Sequence, residues 1–357
     1  MKAAPVMRAL ARHGVEQRLI HTGQHYDDRL SGVFFRELDL PEPDLNLGVG
    51  SGSHAVQTAA IMVALETAFG DIQPALAVVY GDVNSTLAAA IVAAKQRVPV
   101  AHVEAGLRSF DDSMPEEINR RTTDLLSTLL FTTTPEAGPN LERMGVSPSA
   151  IHFVGNPMID SLLSHVDKLD PAAVRAELRL PERYAIVTVH RPSNVDTSTD
   201  AARVVAMLDG LSALVHVLLP LHPRGRPTLE AAGLAASDGL RIVEPLGYLD
   251  FLSLVSKAAL VVTDSGGIQE ETTILGVPCL TIRPNTERPI TISHGTNRLV
   301  QPEQVPPLAR AILTEGLPDA GRRPPLWDGQ AGERIGRVIV DWLADAPAAM
   351  PEVSELS

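Results

Sequence analysis

Short runs of apolar β-formers alternate along this chain with longer stretches whose apolar residues recur at helical spacing. The runs Arg18–Thr22, Ala75–Tyr80, Val98–Val103, Leu130–Thr133 and Ile151–Val154 read as strands. After a gap, so do Ala185–Val189, His216–Leu221, Leu240–Val243, Leu260–Thr263 and Pro278–Ile282. Between them Asp27–Leu38, His54–Phe69, Ser85–Lys95, Glu116–Leu125, Asp200–Leu214 and Gly267–Leu275 carry helical patterns. No hairpin signal joins the strands, so the pattern predicts parallel sheets covered by helices on both faces.

The alternation runs twice, and the polar, Pro-containing stretch Asp167–Glu182 separates the two halves. The expected fold class is α/β, with two Rossmann-like domains facing each other across a cleft. Residues 1–166 form the first domain, 167–331 the second, 332–345 a helix packing back on the first, and 346–357 a flexible tail. The segment Met1–Leu10 already reads as a helix, whereas a Rossmann-like domain opens with a strand. The first domain is therefore expected to lack its opening strand.

Length and composition fit this reading. The chain has 357 residues, enough for about two domains, and its 4% aromatic content leaves the packing to Ala, Val, Leu and Ile. The formal net charge of −13, with no Lys/Arg cluster, argues against nucleic acid and anionic membrane as partners. An anionic ligand would need a locally positive site inside an acidic protein. No apolar stretch is expected to reach the roughly 18 residues of a membrane span, and the start carries no signal-peptide pattern. The single cysteine, Cys279, sits in the apolar run V-P-C-L-T-I and reads as a core residue. A soluble cytoplasmic protein is expected.

In parallel α/β sheets, chemistry collects beyond the carboxyl ends of the strands, and five stretches stand at such places. The strand Leu260–Thr263 stops at Asp264-Ser265-Gly266-Gly267, and a helix begins. Glycines admit close backbone approach and the first helical turn offers free N–H groups, so Ser265, Gly266 and Gly267 suit a phosphate; a plain capped turn is the alternative. Glu271, a turn further in, would repel phosphate but grip a neutral hydroxyl such as that of a ribose. In G-D-V-N-S-T, Asp82 stands where the sheet meets the cleft, with a helix cap as the bland reading. In H-V-E-A-G-L-R, Glu104 directly follows an apolar strand, and in P-E-E-I-N-R the acids Glu116 and Glu117 also complement a helix dipole. Carboxylates brought together raise one another's pKa, which makes an acid and a base from one residue type. The pairs His190-Arg191 and His222-Pro-Arg224 each end a strand and suggest a cationic cleft wall. The fifth stretch, Arg283 to Arg288, is a loop in which Arg288 reaches a phosphate or sugar, or in which an ion pair simply holds a surface loop. Other signals fail. Gly48-Val49-Gly50-Ser51-Gly52-Ser53 lacks the third glycine of a dinucleotide fingerprint, no P-loop or Gly-x-Ser-x-Gly elbow occurs, and no His/Cys/acid spacing reads as a metal site.

Together T-G-Q-H-Y-D, G-D-V-N-S-T, H-V-E-A-G-L-R, P-E-E-I-N-R, V-G-N-P-M-I-D, T-V-H-R, T-D-S-G-G-I-Q-E-E and T-E-R-P-I, from about residue 2 to residue 345, resemble the non-hydrolysing UDP-N-acetylglucosamine 2-epimerases. The resemblance implies a glycosyltransferase-B-type fold, a homodimer, no metal or nicotinamide cofactor, and a UDP-sugar substrate. It implies reversible C2 epimerisation of UDP-GlcNAc to UDP-ManNAc, by elimination of UDP to a 2-acetamidoglucal and re-addition, feeding polysaccharide synthesis. By resemblance Asp82, Glu104 and Glu116 form the acid/base cluster and His190 assists at the diphosphate. Ser265, Gly266 and Gly267 bind phosphate, Glu271 the ribose, Arg288 and Lys2 the diphosphate region, and Phe251 lies by the uracil. Gln24 and His25 fall in a stretch that in some members binds a second, activating UDP-GlcNAc. The family opens with a strand and Gly-Thr-Arg-Pro-Glu just before the Lys-x-Ala-Pro that stands here as Lys2-Ala3-Ala4-Pro5. The expectation is therefore a start placed too late, with a central strand and an active-site arginine lost. The alternatives are a hydrolysing 2-epimerase releasing ManNAc and UDP, against which P-E-E-I-N-R and T-E-R-P speak, a glycosyltransferase of the same fold, which would not need the carboxylate cluster, and a UDP-sugar-binding remnant without turnover.

Overall fold

The computed structural model describes residues 1–23, 37–38, 40–316 and 323–345, so Gln24 and His25 lie outside the described residues, as do the 346–357 tail and most of the Asp27–Leu38 pattern. Twelve strands are described, and every strand pairing is parallel. In the first half β1 (Ile20–His21) pairs with β2 (Leu45–Asn46). A separate four-stranded sheet follows sequence order: β3 (Ala77–Tyr80), β4 (Val100–Ala105), β5 (Leu129–Thr132) and β6 (Ile151–Phe153). The second half holds six strands: β7 (Tyr184–Thr188), β8 (His216–Pro220), β9 (Leu240–Val243), β10 (Leu260–Thr263), β11 (Cys279–Thr281) and β12 (Asn297–Leu299). Their spatial order, β9-β8-β7-β10-β11-β12, is that of a doubly wound Rossmann sheet, which reverses between β7 and β10.

Burial explains why the strands read as near-continuous apolar runs rather than alternating ones. Along β7, Ala185 and Val187 enter one core cluster and Tyr184 and Ile186 the cluster on the opposite face. In the first sheet Val100 packs under the helices His54–Ile72 and Asn84–Lys95, while Ala101 and Val103 pack with Val6, Leu10, Ile335 and Ile339. The last two belong to the helix Ala331–Asp345, which crosses back to lie on Ala3–Arg12. Asp160 Oδ2 accepts from the Gly332 amide at 2.7 Å, at the start of that helix, and a Cβ on Gly332 would stand 2.7 Å from the Pro5 backbone. The stretch Asp167–Glu182, polar as it is, contains the helix Pro171–Glu177, with Pro171 in its first turn and the Asp170 side chain accepting from the Ala173 amide.

One expectation needs correction. The helix His54–Ile72, 19 residues with mean hydropathy 1.3, is long and apolar enough by length and composition to cross a membrane. Polar residues, Glu66 and Asp71 among them, break the run of apolar residues that would mark such a span in the sequence. Its Ile61, Leu65 and Phe69 face is core, whereas Val56 and Val63 on the other face are 66% and 69% exposed.

Candidate active site between the two sheets

The site is built where the carboxyl ends of β3 and β4 meet the loops beyond β7, β10 and β11. Glu104 is the residue next to the end of β4, and the register against β5 shifts between Val103 and Ala105. Its backbone is left-handed, with φ +78°, a conformation costing a non-glycine residue about 1 kcal/mol or more. That local bulge turns the side chain out of the ladder and toward the other domain. There Oε1 accepts from Arg288 Nη2 at 2.9 Å, and Oε2 accepts from Lys2 Nζ. Gly81 also has positive φ, +68°, and a Cβ there would stand 3.2 Å from Lys2 Nζ and 3.3 Å from Glu104 Oε2.

Asp82 is not a helix cap. The N-cap of Asn84–Lys95 is Val83, and the Asp82 carboxylate accepts from Arg120 Nη2 at 2.6 Å and Nε at 2.9 Å. Burial opposes its ionisation, but Arg120, Lys2 and Arg288 outweigh burial and hold the carboxyl below the usual range. The two acids of P-E-E-I-N-R separate. Glu117 is buried, accepting from Arg120 Nη1 at 2.8 Å and from the amide and hydroxyl of Ser109 at 2.9 and 3.0 Å. Glu116 is half-buried, has no hydrogen-bond partner among the described residues, and lies within the field of Arg191 from the second domain.

Arg288 is buried between three carboxylates. Besides Glu104 it donates from Nε to Glu270 Oε1 at 2.8 Å and from Nη1 to Glu287 Oε1. The loop does contain an internal ion pair, Arg283 Nη2 to Glu287 Oε2 at 2.7 Å, but both partners are buried. Burial disfavours the Glu287 charge, yet Arg288 and Arg283 prevail and hold its carboxyl well below the usual range. Glu270 goes the other way: burial pushes it up, Arg288 pulls against that, and the Glu104 charge adds to the rise.

The turn after β10 leaves the Ser265 hydroxyl without a hydrogen-bond partner among the described residues. Ser265 is the N-cap of Gly266–Leu275, but its side chain makes no capping bond, and its amide donates to Thr263 Oγ1 at 3.0 Å. A Cβ on Gly266 would meet Arg288 Nη1 at 2.5 Å, so glycine there lets the guanidinium lie against the helix start. Asp264 is buried and accepts from the amides of His190 and Arg191 and from Asn194 Nδ2. His190 Nδ1 is 2.7 Å from Asp264 Oδ1, which leaves Nε2 of a ring 43% exposed to meet a ligand. Burial works against the Asp264 charge, but His190 and Asn194 hold it below the usual range. The His222 ring stands 6.1 Å from that of His190, so the two strand-end histidines share one wall. Arg224 instead pairs with Asp196 on the surface, at 2.8 Å.

Glu271 is buried on the same helix. Burial pushes it up to about 8, against the pull of the nearby Tyr248 hydroxyl. Phe251 is half-buried on the helix Tyr248–Val255, packed beside Leu254 and Ile186. The sequence reading missed Arg120, Glu270, Glu287, Asp264 and the buried His102–Asp124 pair. Only the Glu117–Arg120 and Arg283–Glu287 spacings, three and four residues, carried a local signal for any of these ion pairs. Chemically, the site sets carboxylates beside buried cations at the junction of the two sheets, groups suited to proton transfer next to an anion.

The family model described as UDP-N-acetylglucosamine 2-epimerase matches residues 8–340. The UDP-N-acetylglucosamine 2-epimerase of Methanocaldococcus jannaschii is 39% identical over 352 residues, covering 95% of both chains. Its crystal structure in complex with UDP-GlcNAc and UDP superposes with a TM-score of 0.89 at 39% identity, over 95% of this chain and 96% of that one. The UDP-2,3-diacetamido-2,3-dideoxy-D-glucuronate 2-epimerase of Pseudomonas aeruginosa is 36% identical, covering 95% of this chain and 96% of the relative.

Proposed function

The chain belongs to the UDP-N-acetylglucosamine 2-epimerase family, and we propose that it interconverts UDP-GlcNAc and UDP-ManNAc by elimination and re-addition of UDP. The C2 hydrogen of the sugar is not acidic, because no carbonyl sits beside C2. A carboxylate takes that proton while the C1–O bond to the β-phosphate breaks. The C2–H electron pair becomes the C1=C2 double bond of a 2-acetamidoglucal, and UDP leaves with the C1 oxygen. Re-addition reverses the electron flow: a carboxylic acid delivers a proton to the other face of C2, and the phosphate oxygen returns to C1.

The observation that carries this reading is Glu104, held with a left-handed backbone at the domain junction and contacted by Lys2 and Arg288. Such a group stands where a base and a diphosphate must meet. Asp82, Glu104 and Glu116 serve as the acid/base cluster, with His190 aiding the departure of UDP. The free start of the helix at Ser265, Gly266 and Gly267 takes phosphate oxygens, with Lys2 and Arg288 on the same diphosphate. Glu271, carrying its proton below about pH 8, holds ribose hydroxyls, and Phe251 flanks the uracil. The protein acts as a homodimer. The exposed apolar residues Val56, Val63, Ile118 and Leu125, on helices that flank Asn84–Lys95, supply a face for a second copy.

Incubation with UDP-GlcNAc in D2O, followed by proton NMR, tests the reading. Deuterium at C2 together with UDP-ManNAc is expected. Free ManNAc and UDP as the end products would favour hydrolysis instead, and UDP binding without any exchange would favour the remnant.

A further inference from the structure

We propose that His102 is a positioning residue for the carboxylate cluster, tying the segments that carry Asp82, Glu104 and Glu116 into one rigid unit. The inference rests on the reading of those three groups as the acid/base machinery. His102 lies in the middle of β4 and is completely buried. Its Nε2 is 2.8 Å from the Gly81 carbonyl oxygen, and its Nδ1 is 2.6 Å from Asp124 Oδ1. A carbonyl can only accept, so Nε2 carries a hydrogen and donates it to Gly81, while Nδ1 faces the Asp124 carboxylate at hydrogen-bond distance.

Each end of the ring reaches a segment that bears a carboxylate. Gly81 is the left-handed residue immediately before Asp82, so the bond to its carbonyl sets the peptide from which Asp82 springs. Asp124 lies on the helix Pro115–Leu126, whose first turn carries Glu116. The other Asp124 oxygen accepts from the Gly106 amide at 3.2 Å and from Arg108 Nη2 at 2.5 Å. Those contacts pin the chain just beyond the strained backbone of Glu104. The same helix also holds Asp82 directly, through Arg120 and through Asn119 Nδ2 on its carbonyl at 2.8 Å. An imidazole suits this tie because its two nitrogens stand at fixed positions on a rigid ring. An apolar side chain of similar volume would strand the Gly81 carbonyl and Asp124 Oδ1 as unpaired buried acceptors.

A tie that only stabilises the fold and a tie that aims the carboxylates give different kinetics. The test compares His102→Gln, which keeps at most one arm, with the parent protein, measuring UDP-GlcNAc turnover by NMR and UDP affinity by calorimetry. If His102 positions the cluster, kcat falls roughly 10²-fold, the scale of a misplaced catalytic group. The UDP Kd stays within about twofold, because the groups that bind UDP stand mainly on the second domain. In a Glu104→Gln background, the further loss from His102→Gln shrinks below about threefold, the non-additivity expected of groups acting together. A kcat close to the parent's, or a loss that multiplies fully in the Glu104→Gln background, overturns the inference. Where His102→Gln does not fold, Asp124→Asn carries the same comparison, and failure of both to fold overturns it in favour of a purely structural tie. The underlying reading fails separately. Parent turnover that survives Asp82→Asn and Glu104→Gln, or a parent without turnover, overturns that reading and this inference with it.

Discussion

Glu271→Gln should make the protein more stable and a worse binder, with a pH dependence that identifies the cause. Glu271 is 3% exposed, and burial pushes its carboxyl up to about 8 from 4.5, against the pull of the Tyr248 hydroxyl and with the Glu270 charge adding to the rise. Between those two values the folded protein holds a proton that the unfolded chain has released. Stability from this group is therefore fully present below pH 4.5 and is lost as pH rises toward 8. At about 1.36 kcal/mol for each pH unit, the rise from 4.5 to about 8 sets a ceiling of about 5 kcal/mol. Relaxation and water entry reduce it, so about 1–3 kcal/mol is the working expectation. Glutamine keeps the shape and has no charge to desolvate. The stability gap between variant and parent should then widen from pH 5 to pH 8, raising the midpoint of the second domain by roughly 2–4 °C for each kcal/mol. Scanning calorimetry at the two pH values reads this directly. A gap that stays constant, or an ordering in which the variant becomes the less stable protein at pH 8, refutes the burial argument. The same variant should bind UDP more weakly, since a carboxyl kept at a desolvation cost is retained for its ligand.

Two further outcomes follow from the geometry. Gly266→Ala places a Cβ 2.5 Å from Arg288 Nη1, so the guanidinium must shift from its place against the helix start and its bonds to Glu104, Glu270 and Glu287 are disturbed. UDP affinity and turnover should each fall by about tenfold or more, read by calorimetry and NMR, and a variant with parent-like values would show that Arg288 has no such role. Val63→Glu puts a charge on the exposed apolar face of His54–Ile72. Sedimentation velocity should then show a monomer where the parent sediments as a dimer, and an unchanged dimer would locate the interface elsewhere.

The strands of the second sheet were legible because burial on both faces writes itself into the sequence. The pattern gives Leu240–Val243 and Leu260–Thr263 with the bounds the structure has. Leu45–Asn46 and Asn297–Leu299 escaped, being two and three residues long and without a run to mark them. The strand-to-helix turn at Ser265-Gly266-Gly267 was legible as a turn, since small residues after an apolar run mark such a junction. What the sequence hides is pairing at long range. Glu104 and Arg288 lie 184 residues apart, and His102 and Asp124 lie 22 apart, so no periodicity joins them. Adjacent acids are hidden in a different way. Glu116 and Glu117 share a helical first turn, and only the facing Arg120 and Ser109 decide that Glu117 is the buried structural one. The charges explain why the site looks less cationic than its sequence suggested. Arg288, Arg283, Arg120 and Lys2 are already matched by Glu104, Glu270, Glu287, Glu117 and Asp82. On the proposed reading, an entering diphosphate would compete with Glu104 for Arg288 and Lys2. Successful competition would take from Glu104 the cations that neutralise it, at the moment a base is needed, so that binding and activation would be the same exchange of ion pairs.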